Sequence, residues 1–182
     1  MQIKELTTDQ CRALLQATNL GRLACVRDNR PYIVPIYYDY YKDALYSFAT
    51  LGKKIQWMRT NPRVCVEVDE IVDRFNWTTV VVKGRYEELT KSRAHEEARQ
   101  RAYLLFEHRP DWWYPAAGKT RSAEIRTPVV YRIQIEGISG RRAVRDPHKV
   151  ARARPAPGAT KAPVWWSRVL RPLQGRERKS GA

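Results

Sequence analysis

Between residues 20 and 140 this chain places six runs of β-branched, aromatic and aliphatic residues, three of whose five connections are too short for the crossovers of a parallel sheet. Residues 22–27, 32–41, 45–49, 64–68, 78–86 and 129–136 each have strand composition. Asp28-Asn29 and Lys42-Asp43 are turn pairs between the first three runs, which therefore read as an antiparallel meander. Pro35 sits inside the second run and cannot donate to a ladder, so it marks an edge, a bulge or a break. With six strands and no βαβ alternation, the pattern predicts a mainly β fold, an antiparallel six-stranded barrel with peripheral helices.

Helices fill the gaps. Thr7 caps the first, Gln10 completes a capping box, and Leu6 is placed to staple onto Cys11. Leu14 and Leu15 continue its apolar face, and Gly21 suits a left-handed position past its end. A short helix over 53–60 carries Ile55 and Met58 or Arg59 on successive turns, and Asn61-Pro62 stops it. A third helix opens at Thr90 or Ser92 and runs to about Glu107, with Pro110 beyond its end. Residues 111–127 read as a loop holding Trp112, Trp113 and Tyr114.

Composition divides the chain in two. Of the net +15, residues 141–182 supply +10, with 12 Lys/Arg against Asp146 and Glu177. Residues 1–140 supply only +5, from 22 Lys/Arg and 17 Asp/Glu. The expected organisation is a barrel domain over 1–140 and a basic, Pro/Ala/Arg-rich tail over 141–182, extended and partly disordered. The tail's charge would give salt-dependent, sequence-indifferent affinity for nucleic acid. No recognition motif accompanies it, so a solvated tail is the simpler reading. The stretch VWWSRVLRPL is apolar and basic together and would suit docking.

No run approaches the roughly 18 apolar residues of a membrane helix, and MQIKELTTDQ has no signal-peptide core. A cytoplasmic protein without a transmembrane segment is expected. Cys11, Cys25 and Cys65 form no CxxC pair, and His95, His108 and His148 fall at no metal-ligand spacing. Neither a disulfide framework nor a metal centre is expected.

Catalytic motifs fail in turn. Gly137 to Gly140 has the wrong spacing for a nucleophile elbow. Gly118-Lys119-Thr120 imitates the end of a P-loop, but Trp113 stands where the first glycine belongs. The stretch Ser47-Phe48-Ala49-Thr50-Leu51-Gly52-Lys53-Lys54 is better: a strand end, a glycine turn, two lysines and a helix start. Helix-start amides carry positive partial charge, and two ammonium groups there suit a phosphate.

The run GRLACVRDNRPYIVPIYYDYYKDALYSFATLGKKIQWMRTNPRVCVEVD, with WTTVVVKGRYEEL after it, resembles the pyridoxamine 5′-phosphate oxidase-like FMN-binding split-barrel superfamily. It is most similar to the branch of the nitroimidazole-resistance proteins. The likeness spans about residues 3–137 and rests on the order of parts: Gly-Arg-Leu strand, proline-containing strand, Gly-Lys-Lys, a helix closed by Asn-Pro-Arg-Val, and a Val-rich strand ending in Gly-Arg.

The resemblance implies an antiparallel six-stranded split β-barrel that forms a homodimer with FMN at its interface. Lys53 and Lys54 match the pair that binds the FMN phosphate. Val34, Pro35, Ile36 and Tyr37 match the strand along the isoalloxazine ring, and Ser47 and Phe48 the strand positions next to the flavin. Thr79 matches a polar position at the ring edge, with Trp77 beside it. The chemistry of the residues agrees: a flavin needs an apolar wall, a few hydrogen bonds to its pyrimidine edge, and cations for its phosphate.

The sequence also departs from family patterns. Many nitroimidazole-resistance-like members carry a histidine where Ser47 stands, which argues against nitroreduction by that route. No C-terminal Trp and Arg set of the true oxidases is matched, which argues against pyridoxamine phosphate oxidation. Arg109, Trp112 and Trp113 are placed to reach a second subunit's flavin. The resulting expectation is an FMN-binding oxidoreductase moving reducing equivalents between NAD(P)H and a small-molecule acceptor. The alternatives are a flavin-binding module without turnover and a reductase using F420 on the same fold. Haem in such barrels recruits histidine, and the three histidines here lie outside the barrel strands.

Overall fold

The computed structural model describes residues 1–107 and 128–145. Its elements, in chain order, are β1 (Gln2–Glu5), α1 (Thr8–Ala17), β2 (Leu20–Arg27), β3 (Arg30–Tyr37), β4 (Asp39–Tyr41), β5 (Ala44–Ala49), α2 (Lys53–Thr60), β6 (Arg63–Asp73), β7 (Asn76–Glu88), α3 (Glu96–Glu107) and β8 (Val129–Val144). A single 3-10 turn, Arg93–His95, precedes α3.

The strands form one antiparallel sheet in the order β3-β2-β6-β7-β8-β5-β4, with β1 paired to the far end of β8. The edges β3 and β4 are consecutive in sequence, separated by Tyr38 alone. The sheet must therefore curl until its two edges nearly meet, and they are not hydrogen-bonded neighbours. That is the split of a split barrel. The mainly β antiparallel fold matches the expectation; the count is eight strands instead of six.

Two differences make up that count. β1 is a short N-terminal strand with no apolar pattern, all four residues exposed. The 32–41 run is broken at Tyr38, which is 1% exposed. The Tyr38 amide donates to the Asn19 carbonyl (2.9 Å), and its hydroxyl lies 2.8 Å from Thr18 Oγ1. Pro35 lies on the edge strand β3, where a missing donor costs no ladder bond.

The turns follow their residues. Asp28 and Asn29 (φ 51° and 58°) and Lys42 and Asp43 (φ 43° and 57°) all occupy left-handed backbone, the geometry of tight hairpins. Thr7 and Gln10 make the reciprocal capping box of α1. Gly21 does not cap that helix. α1 ends at Ala17, with Thr18 as an extended C-cap. Gly21 lies in β2, where a Cβ would stand 2.9 Å from Val66 Cγ1. The residue is needed for close packing and not for a left-handed turn.

β8 runs eight residues past the expected Glu136, to Val144. Its first part pairs with β5 and its last part with β1, while β7 follows its other edge. Arg141 to Val144, expected to begin the tail, therefore lie in the sheet.

The core fills the curl. Leu23, Val66, Val68, Val80, Val82 and Ile133 are fully buried, closed over by Leu15 of α1 and by Ile55 and Met58 of α2. α3 packs elsewhere, with Ala102 and Phe106 against Ala44, Tyr46, Phe48 and Val130. Among the described residues no helix is long and apolar enough to cross a membrane.

Candidate functional site

The helix α2 begins without a side-chain cap. Its N-cap is Gly52, and its first turn contains no acid. α1, by contrast, has the Thr7 box and Asp9. Among the described residues no side chain caps the first amides of α2, which point outward beside two lysines. Lys53 is exposed, and its Nζ lies 4.5 Å from the Tyr32 ring centroid and 4.6 Å from that of Trp57. Trp57 is four residues along α2 and so falls on the same face as Lys53. The Tyr32 and Trp57 rings stand 5.5 Å apart.

Lys54 is half-buried. Burial lowers its pKa, with only Cys25 acting in the opposite direction. No carboxylate pairs with either lysine among the described residues. A partly desolvated ammonium without a counter-charge is unfavourable, and a bound anion relieves it. This donor set fits a phosphate or diphosphate group.

The remaining predicted residues divide among three surroundings. On β3 the side chains alternate: Val34 and Ile36 turn towards the core, while Pro35 and Tyr37 are exposed on the outer face. Ser47 is 1% exposed, and its hydroxyl donates to the Tyr37 carbonyl at 2.7 Å, so it ties β5 to the end of β3 across the split. The Tyr131 hydroxyl, opposite Ser47 in the ladder, is buried with no hydrogen-bond partner among the described residues, and burial pushes its pKa up to about 12. Phe48 points to the other face and meets Phe106 of α3 edge-on at 4.8 Å.

Trp77 and Thr79 lie on β7, three strands from β3, or about 14 Å along the sheet at ordinary strand spacing. Both line an outer cleft of about 640 Å³ with Glu5, Val81, Ile138 and Arg141. The Thr79 hydroxyl donates to Glu67 Oε1 at 2.9 Å. Arg22 Nη1 donates to Glu67 Oε2 at 3.0 Å and also to Asp69. Lys53 and Lys54 do not line this cleft. The chain therefore presents two separate candidate sites, a cationic helix start and an aromatic cleft.

Sequence reasoning overlooked Trp57, Glu67 and Arg141. The spacing of Trp57 from Lys53 could have revealed the first. The others needed the strand register, which puts Glu67 one strand from Arg22 and Arg141 opposite Thr79. Arg109, Trp112 and Trp113 lie outside the described residues.

An open, curled antiparallel sheet plugged by two helices, with a phosphate-fitting helix start, defines a split-barrel fold. The profile of one family, described as pyridoxamine 5′-phosphate oxidase, matches residues 7–142. An uncharacterized protein of Rhizobium meliloti (strain 1021) is 36% identical over 146 residues, covering 79% of this chain and 97% of that protein. The chain belongs to the pyridoxamine 5′-phosphate oxidase-like split-barrel family. Among solved structures, a FAD-binding protein from Mesorhizobium loti is 42% identical with a TM-score of 0.67, covering 80% of this chain and 99% of the other. A candidate 5-nitroimidazole antibiotic resistance protein from Bacteroides thetaiotaomicron shares the fold at 15% identity (TM-score 0.55), covering 78% and 89% of the two chains. The flavocytochrome Anf3 from Azotobacter vinelandii does so at 17% identity (TM-score 0.56), covering 88% and 86%.

Proposed function

We propose that this protein is a homodimeric flavin-nucleotide oxidoreductase that moves reducing equivalents from NAD(P)H to a small-molecule acceptor. The observation that carries the reading is the α2 start: an uncapped helix end, exposed Lys53, and half-buried, unpaired Lys54. FMN is the expected cofactor. The Mesorhizobium loti relative is called a FAD-binding protein, and a diphosphate suits the same cations. A bound flavin supplies hydride and single-electron chemistry; the protein's part is to hold and orient it. Lys53 and Lys54 hold the phosphate, and Trp57 and Tyr32 keep Lys53 in place.

The homodimer reading has its own support. Leu20, Val26, Ile33 and Tyr37 are 38–64% exposed on the outer face of β2 and β3. Such an apolar face suits a second copy, and a second copy would bring another protomer's half-sites close to these.

The test is an absorbance spectrum of the purified protein with mass spectrometry of what heat releases. Released FMN or FAD supports the reading and decides between them. F420 would keep the fold and change the donor. A colourless protein that binds no added flavin overturns it. Lys54→Ala removes a charge-assisted contact and should weaken FMN binding about tenfold to a hundredfold. Bound flavin without NAD(P)H consumption would leave a flavin-binding module without turnover.

A further inference from the structure

The two faces of α3 differ. Ala98, Ala102, Leu105 and Phe106 pack onto the sheet. Glu96, Arg99, Gln100 and Tyr103 recur at three- and four-residue spacing on the opposite face. With Lys91 and Arg93 from the turn before the helix, they line a cleft of about 590 Å³. We infer that this cleft binds a small hydroxy-dicarboxylate. Lys91 and Arg93 take one carboxylate, Arg99 and Tyr103 take the other, and Glu96 accepts from the hydroxyl. The inference is independent of the flavin reading, since neither the α2 lysines nor any residue of the β7–β8 cleft lines this one.

Charge and donor pattern select the ligand. Among the described residues three cations line the cleft against one carboxylate, Glu96, and none of the three is in an ion pair. The net of +2 is what a dianion neutralises. The donors fall into two pairs, one on the turn and one on the helix, so they suit two separate anionic groups better than a single centre. Arginine forks match carboxylate geometry and make charge-assisted bonds. Glu96, ionised, only accepts. It disfavours a third anionic group and favours a hydroxyl between the other two.

These donors are held before a ligand arrives. Arg99 donates through Nη1 to the Leu89 carbonyl and through Nη2 to the Tyr103 hydroxyl at 2.7 Å. A phenol oxygen that accepts from a guanidinium keeps its own proton to give. Tyr103 is therefore a donor towards the cleft. His95 fastens the turn. The Thr90 amide donates to Nδ1 at 3.2 Å, and the Thr90 and Ser92 hydroxyls lie 3.0 and 3.2 Å from the same nitrogen. Nδ1 thus accepts, and Nε2 carries the proton, 3.3 Å from Glu87 Oε1 on β7. Arg132 holds the other oxygen of Glu87 at 2.6 Å. The backbone bearing Lys91 and Arg93 is tied to the sheet in this way, which lowers the ordering cost of binding.

The experiment is calorimetric titration of the full-length protein with malate, with succinate, which lacks only the hydroxyl, and with inorganic phosphate. Malate should bind about tenfold more tightly than succinate, the ratio that one hydrogen bond to a charged group gives. Phosphate should bind more weakly than malate. Lys91→Ala with Arg93→Ala, both at exposed positions, should weaken malate and succinate at least about tenfold. Tyr103→Phe, also exposed, should weaken both about threefold to tenfold. Glu96→Ala should narrow the malate-to-succinate ratio to less than about threefold, and Lys54→Ala should change neither affinity. Four results would each overturn the inference: no malate binding to the unaltered protein, phosphate binding tighter than malate, a loss that follows Lys54 instead of Lys91 and Arg93, or a full ratio in Glu96→Ala.

Discussion

Single residues in this protein do work that their type alone does not announce. Glycine 21 reads as a helix stop, yet β2 needs it because Val66 and the Glu67 carbonyl leave no room for a Cβ. Gly84 is tighter still: a Cβ there would stand 2.6 Å from the Gln134 carbonyl oxygen, a backbone atom that cannot rotate aside. Gly84→Ala should cost about 1–3 kcal/mol by urea denaturation, from overpacking at the β7–β8 irregularity. An unchanged midpoint would show that the strands separate freely there. Lys54 makes the same point in electrostatic terms. A lysine beside another lysine is usually a solvated face; here one of the two is half-buried and, among the described residues, without a counter-charge.

Elements are joined by polar contacts at their ends. Arg59 of α2 grips Glu88 of β7 through both carboxylate oxygens, at 2.7 and 2.8 Å, and the Tyr86 hydroxyl donates to the same group. The Arg59 hydrogen bond, foremost, holds the Glu88 pKa below its ordinary value. The sign follows: a carboxylate with a depressed folded pKa contributes stability above its unfolded pKa, and loses it as pH falls through the folded one. The melting temperature should therefore drop on acidification below the ordinary carboxylate range of about 4.3. Glu88→Gln should melt lower at pH 7 and show a shallower fall in acid; an identical acid profile would assign the dependence to other groups, such as Asp43 beside Arg12. At α1, both halves of the capping box are present, so Thr7→Ala should cost about 1 kcal/mol in the same measurement.

At the scale of the whole molecule, the sheet's curl governs what the chain can do. It closes a core, but it leaves the phosphate-fitting helix start and the Thr79 cleft apart on one protomer, and an apolar outer face between β2 and β3. On the proposed reading a second copy covers that face. Ile33→Arg with Tyr37→Asp should then convert the protein to monomers in sedimentation velocity and weaken flavin binding together with assembly. Monomers in the unaltered protein would instead confine the flavin to one protomer. Much of this architecture was legible in sequence because it rests on local rules. Antiparallel strands announce themselves by β-branched runs and by turn pairs such as Asp28-Asn29 and Lys42-Asp43, in which aspartate and asparagine tolerate the left-handed backbone better than most residues. The helix caps and the Lys53-Lys54 pair depend on neighbours within four residues. Register does not. The pairing of Glu67 with Arg22 and of Thr79 with Arg141 joins residues far apart in the chain. Those contacts exist because the sheet curls by a set amount, and that amount is fixed by how Leu15, Ile55, Met58 and the interior valines fill the space inside it. The sequence by itself thus determined most of the strand segments, where their hairpins turn and which helix start is cationic. Only the tertiary structure decided which side chains share a cleft, because that depends on long-range packing that no local pattern encodes.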